Sequence, residues 1–251
     1  MKLQAWLIAH LSPKHFYQRT SWWAPCIGTC SVIALIIGLY WGLYRTPPDY
    51  QQGDAFRIIY LHVPTAFLSL VIYSIMGMSS ILFLVFRLKL CDMIAHHSAA
   101  IGALYTLIAL MTGIFWARPM WGTWWVWDAR LSAELLLLFL YLGYLALRQS
   151  IPDPLRAAKA SALLAIVGWV DVPIIHFSVQ WWATLHQGPS LSSWSKPTIA
   201  PVMLYPLILM IAALFGWYFT LLLLKIRNNI LSQEAQSPWF KAYCSATLGR
   251  S

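Results

Sequence analysis

The sequence predicts an all-α, polytopic membrane protein: six transmembrane helices and a tryptophan-rich interfacial segment on the periplasmic side. Three observations predict it. Of 251 residues, 60% are hydrophobic and only 10% are charged, whereas a soluble domain carries about a quarter charged residues. The apolar residues come in long runs. The basic residues lie between those runs rather than along one face, so the formal net charge of +9 reads as topology signal and not as a nucleic-acid footprint.

A helix needs roughly 20 apolar residues to cross the hydrocarbon layer. Stretches near 22–44, 61–86, 95–115 and 201–224 meet that easily, bounded by charges. Two weaker stretches, 131–148 with Glu134 and 160–178 with Asp171, are counted as spans because an even number of crossings lets the charges alternate. Twelve of the 17 Lys and Arg residues then fall on the side of both termini, in segments that include Arg19, Arg87, Arg148, Lys159 and Arg227. Arg45, Arg57, Arg118, Arg130 and Lys196 fall on the other. The Lys/Arg excess marks the cytoplasmic side, so both ends are expected inside and the protein in a bacterial inner membrane. Residues 1–251 read as a single membrane domain with a polar cytoplasmic tail over 226–251. No cleavable signal peptide is expected, because the first apolar stretch is too long for a signal h-region.

Three outer loops result, near 45–60, 116–131 and 179–200. The inner connections are short, and Pro152 and Pro154 suit a tight turn between helices. No nucleotide-binding loop or soluble domain is visible, so any energy source lies in another protein. The cysteines Cys26, Cys30, Cys91 and Cys244 form no CxxC pair, which removes support for a zinc or thioredoxin-like centre; they read as small buried hydrophobes.

The outer segment 116–131, WARPMWGTWWVWDARL, holds Trp116, Trp121, Trp124, Trp125 and Trp127, five of the chain's 15 tryptophans. An aromatic belt explains one or two indoles per helix end, not five in one loop. Clustered indoles make a flat apolar platform edged with N–H donors, suited to a large planar ligand. Pro119 and Gly122 suggest that the segment begins with a bend. If 121–131 is helical, Trp121 and Trp125 share a face with Asp128, and an amphipathic helix lying in the interface is expected.

The stretch WGTWWVWDARL (121–131) resembles the WWD motif of the haem-handling superfamily of cytochrome c biogenesis. Segments YQQGDAFRIIYLHVP (50–64) and VPIIHFSVQWWATLHQG (172–188), with the six-span layout, resemble one branch of it, the cytochrome c maturation protein C (CcmC) family. The resemblance covers roughly residues 20–225 and fades at both termini. It implies haem b as the bound group and, as axial iron ligands, the family's histidine pair, which matches His62 and His186 here. A neutral imidazole binds iron readily, and histidines from two outer loops could approach opposite faces of one porphyrin. His176 is the rival, a packed or supporting histidine. His10 and His15 read as surface residues, and His96 and His97 as interfacial ones on the inner side.

Haem carries two propionates, so Arg57, Arg118 and Arg130 are candidate partners through paired hydrogen bonds. Each could instead snorkel at the interface, and Arg130 has Glu134 one turn away. Asp128 could orient an indole N–H, cap the following helix or meet a partner protein. Asp171, an acid deep in a span, is open between a structural and a functional role. The resemblance further implies a haem-transfer protein rather than a conventional enzyme. It would present haem to the periplasmic chaperone CcmE, alongside the small membrane protein CcmD and the ABC-type pair CcmA and CcmB. The competing readings are a transporter that carries haem through its own body, a haem lyase, and an assembly subunit without a haem site.

Overall fold

The structure, a computed structural model, describes residues 12–182, 184, 186 and 199–248. Most of the expected loop 179–200 lies outside the described residues, as do Lys2, His10, Lys196, Arg250 and the side chain of Cys244. Helices account for nearly all of it: α1 (Pro13–Arg19), α2 (Trp23–Tyr40), α3 (Ile59–Phe86), α4 (Lys89–Trp121), α5 (Ala129–Ser150), α6 (Pro154–Gly168), α7 (Asp171–Trp181), α8 (Pro201–Glu234) and α9 (Pro238–Leu248). A π-helical turn, Trp41–Arg45, extends α2, and a 3-10 turn, Asp54–Ile58, leads into α3. Among the described residues, six helical units are long and apolar enough to cross a membrane: Trp23–Arg45, Asp54–Phe86, Lys89–Trp121, Ala129–Ser150, Pro154–Trp181 and Pro201–Glu234.

The third unit runs further than its apolar stretch at 95–115 suggests. Lys89, Asp92 and Arg118 remain helical because charged side chains at helix ends can reach the interface without ending the helix. The helix stops instead at Gly122, whose φ of 76° is a left-handed conformation that glycine adopts without a steric penalty. α5 starts at Asp128, whose Oδ1 accepts the Leu131 N–H at 2.8 Å, a side-chain N-cap. Asp153 caps α6 in the same way through the Arg156 N–H, with Pro154 pre-set for the first turn.

The fifth unit is broken. Pro173 has no N–H to offer the carbonyl one turn back, so α6 and α7 meet through Trp169 and Val170 rather than running on. The Trp169 indole ties the break to α3 by donating to Ser74 Oγ at 3.0 Å.

α3 packs along α4, α2 along α8, and α5 against α4, α6 and α7. Large side chains, among them Tyr73, Tyr141, Tyr144, Tyr218, Leu137 and Met76, are fully buried at the centre. Ile33, Phe67, Phe139, Leu163 and Ile208 are exposed on the outside, the inverse of a soluble surface and the arrangement lipid favours. At one end lie the connections 46–58 and 122–128, here called the tryptophan end. α1 and α9 meet at the other, where Tyr17 of α1 packs edge-on against Trp239, Phe240 and Tyr243. The Arg227 guanidinium sits over the Tyr17 ring at 4.1 Å.

Candidate functional site

His62 lies just inside α3, one turn below the tryptophan end. Its Nδ1 is 3.1 Å from the Ala109 carbonyl and 3.0 Å from Thr112 Oγ1 on α4. A carbonyl only accepts, and the Thr112 hydroxyl already donates to the Ile108 carbonyl at 2.7 Å. Nδ1 therefore carries the proton, leaving the lone pair on Nε2. Gly113 makes room for the ring: a β-carbon there would stand 3.2 Å from His62 Cε1.

His186 reaches the same tautomer by another route. Its Nδ1 is 2.9 Å from Asp128 Oδ2, and a carboxylate only accepts, so Nδ1 donates and Nε2 keeps its lone pair. The two side chains are 14% and 6% exposed, which strengthens the bond by excluding water. Burial pushes the His186 imidazole below its ordinary value of 6.5, and the Asp128 carboxylate pulls it part of the way back. Asp128 thus serves twice, capping α5 with Oδ1 and orienting His186 with Oδ2. A carboxylate behind an imidazole is a recurrent way of fixing ring orientation at metal sites.

The two imidazoles lie at the same end of the molecule. Each lies within electrostatic reach of the Arg130 guanidinium, and His62 also feels the charge of His186. Trp121 closes one side of His186, with ring centroids 4.8 Å apart at 75°, and Trp116 packs on Trp121 at 5.4 Å. The Trp116 indole donates to Gln52 Oε1 at 3.0 Å, joining the 46–58 connection to the aromatic wall.

The tryptophan segment itself is not the interfacial helix that its pattern suggests. Residues 122–128 are irregular, bracketed by the left-handed Gly122 and the cap at Asp128. Trp121 and Trp125 consequently do not share a helical face. Trp121 belongs to the end of α4, while Trp125 packs against Trp127 at 5.4 Å. The Trp125 Nε1 is buried with no hydrogen-bond partner among the described residues. Trp124 and Trp127 are exposed, Trp127 by 77%.

The three arginines separate. Arg57 donates to Asp54 Oδ1, to the Gly42 carbonyl, and to both the hydroxyl and carbonyl of Thr46, clamping the end of the first span onto the start of the second. Arg118 donates to the Gly122 carbonyl and lies over the Trp124 ring. Arg130 forms no hydrogen bond or close ion pair among the described residues; its charge reaches both imidazoles and also the Glu134 and Asp128 carboxylates. Glu134, its expected partner, lies within electrostatic reach but takes its hydrogen bond from Ser69 Oγ at 2.9 Å. His176 stands apart in a lipid-facing groove of about 510 Å³ beside Trp169.

Sequence reasoning missed Thr112, Ala109, Gly113 and Gln52, whose contacts with the site span 47 to 64 residues in the hydrogen-bonded cases and leave no local signature. Among the described residues no cluster of three or more His, Cys, Asp or Glu forms. The arrangement holds two imidazoles with free Nε2 lone pairs beside an indole wall, and among the described residues no carboxylate or thiolate metal cage.

The family model described as Heme exporter protein C matches residues 6–241. Heme exporter protein C of Haemophilus influenzae is 46% identical over 237 residues, 94% of this chain and 96% of that one. The protein of the same name from Escherichia coli K12 is 45% identical over 227 residues, 90% and 91% of the two chains. A putative cytochrome c biosynthesis ccmC-like mitochondrial protein of Marchantia polymorpha is 42% identical over 206 residues, 82% of this chain and 87% of that one.

Proposed function

On the premise that this chain belongs to the Heme exporter protein C family, we propose that it binds haem b at its tryptophan end, on the periplasmic face of the bacterial inner membrane. It hands that haem to the periplasmic chaperone CcmE. Haem is cargo in this reading.

One observation carries the proposal. Two imidazoles from distant parts of the chain lie within electrostatic reach, each with Nδ1 held by an acceptor and Nε2 left to bind. Iron takes a neutral imidazole nitrogen, so fixing the tautomer in advance removes a reorganisation cost at ligation. The remaining requirements of the cargo also find residues here. Trp116 and Trp121 supply apolar wall beside His186. The buried Trp125 N–H is an unused donor, and Arg130 is a cation with no other hydrogen bond among the described residues. We assign the propionate contact to Arg130, because Arg57 is engaged in clamping backbone and Arg118 is held at the rim. The exposed Trp127 and Trp124 form the outer edge at which a chaperone would dock, with aromatic anchors typical of interfaces.

The chain contributes placement: it orients two ligands, excludes water and leaves one edge of its cargo approachable. CcmD would sit beside it in the membrane, and CcmA with CcmB would use ATP to release the loaded chaperone. The lysine and arginine bias supports this orientation, with both termini in the cytoplasm and the tryptophan end outside.

Conduction of haem through the chain draws on the break at Trp169–Val170, since transporter sites often use interrupted helices. The fully buried Tyr73, Tyr141, Tyr144 and Tyr218 fill the bundle beside it, which favours surface capture. Purified protein supplied with haem should show a Soret band that survives washing, and should load added CcmE. A colourless protein contradicts the proposal, and haem uptake by vesicles containing this chain alone would favour conduction.

A further inference from the structure

The bundle interior holds two carboxyl groups that the haem site does not use directly. Glu134 is 7% exposed and Asp171 is 5% exposed, both within membrane-spanning units. An ionised carboxylate in such surroundings is costly unless paired, and among the described residues neither is in a close ion pair. Glu134 has the Ser69 hydroxyl. Asp171 has less: its Oδ2 is buried with no hydrogen-bond partner among the described residues.

A second orphan stands in the same region. The Tyr73 hydroxyl is buried, equally without a partner among the described residues, on a side chain that is 0% exposed. It packs directly onto Gly168, the last residue of α6, so that any β-carbon there would collide with it. Asp171 is the first residue of α7. The phenol and the carboxyl therefore flank the break in the fifth span from two different helices, and the carboxyl bears electrostatically on the phenol. Buried hydroxyls and carboxyls are almost always satisfied, and two adjacent orphans are what a buried water or a shared proton satisfies.

The connection continues upward. The Tyr73 ring packs on Tyr141 with centroids 4.9 Å apart. The Tyr141 hydroxyl donates to the Ser69 carbonyl at 2.7 Å, and the Ser69 hydroxyl donates to Glu134.

We propose that Asp171 and Tyr73 form a proton-binding site at the break in the fifth span, in which Asp171 is a neutral carboxylic acid sharing one internal water with the Tyr73 phenol. The water donates to Asp171 Oδ2 and accepts from the Tyr73 hydroxyl, so each orphan gains a partner without an ion being buried. The site is separate from the imidazole pair and stands whether or not that pair holds haem.

Infrared spectroscopy of the whole protein in lipid nanodiscs at neutral pH tests it. The expected signal is a carboxylic-acid carbonyl stretch, well above the carboxylate bands and shifted in D2O. It should move when aspartate is carboxyl-labelled with carbon-13, disappear in Asp171→Asn, and persist at a changed frequency in Tyr73→Phe. A water O–H stretch sensitive to oxygen-18 water should be lost in both variants. Labelling the wild type keeps the test valid if Asp171→Asn does not fold. Only carboxylate bands from labelled aspartate, responsive to added sodium or potassium, would overturn the proposal in favour of a cation site. An acid band left unchanged by Tyr73→Phe would overturn the shared water.

Discussion

Asp128 performs two separable tasks, and substitutions can divide them. Oδ1 caps α5 through the Leu131 N–H, and Oδ2 fixes the proton on His186 Nδ1. Loss of an N-cap costs about 1 kcal/mol of stability. Loss of the carboxylate behind a ligating histidine costs about 10–100-fold in affinity, or roughly 1.4–2.7 kcal/mol. Asp128→Ala should therefore show both penalties. Asp128→Asn caps as well as aspartate does, but with its oxygen on Leu131 its amide N–H2 faces His186. The imidazole then accepts at Nδ1 and moves its proton to Nε2, the nitrogen needed for iron. Haem titration followed at the Soret band, with thermal melting of the haem-free protein in detergent, should find Asn near wild type in melting and about 10–100-fold weaker in affinity. An Asn variant that binds haem like the wild type would refute the tautomer argument. An Ala variant that melts like the wild type would refute the cap.

Arg57 and Arg130 should fail in opposite assays. Arg57→Ala removes bonds to Gly42, Thr46 and Asp54 and should lower stability by about 2–3 kcal/mol, with haem affinity of the folded fraction intact. Arg130→Ala should melt normally and bind haem more weakly; equal effects in both assays would contradict the division. Gly113→Leu should abolish haem binding by displacing His62, whereas Gly113→Ala, whose β-carbon stands 3.2 Å from the ring, should only weaken it. Soret titration of the pair is the check. In the haem-free protein, burial holds His186 below 6.5, so the unfolded chain takes up the proton first. Its stabilising contribution should be full above pH 6.5 and decline as pH falls below that value, read by tryptophan fluorescence against denaturant. His186→Gln should flatten that decline, and a gain in stability on acidification would contradict the sign.

The all-helical membrane fold was legible because lipid demands long apolar runs whatever the packing inside. The helix ends were less so. Lys89 and Arg118 look like boundaries by charge, but glycine conformation and caps decide where a helix stops, as at Gly122 and Asp128. The same two residues explain why the tryptophan segment is irregular although its spacing allows a helix. Asp171 marked the fifth span as unusual, and the tie that anchors its break, Trp169 donating to Ser74 on another helix, leaves no local signature. At the candidate site the residue types were legible, since clustered indoles and outer-end histidines are rare. Their pairing was not: Asp128 meets His186 across 58 positions and Thr112 meets His62 across 50. Likewise Glu134 takes its hydrogen bond from Ser69 on α3 and not from Arg130 one turn away, a choice made by packing.

The most direct test is electron paramagnetic resonance of the oxidised, haem-loaded protein beside its His62→Ala and His186→Ala variants. The wild type should give the low-spin signal of iron held by two imidazoles. Each single variant should lose that signal while keeping weaker binding, and the double variant should retain no haem. A wild-type signal that survives either single substitution would show that these two histidines do not share one iron.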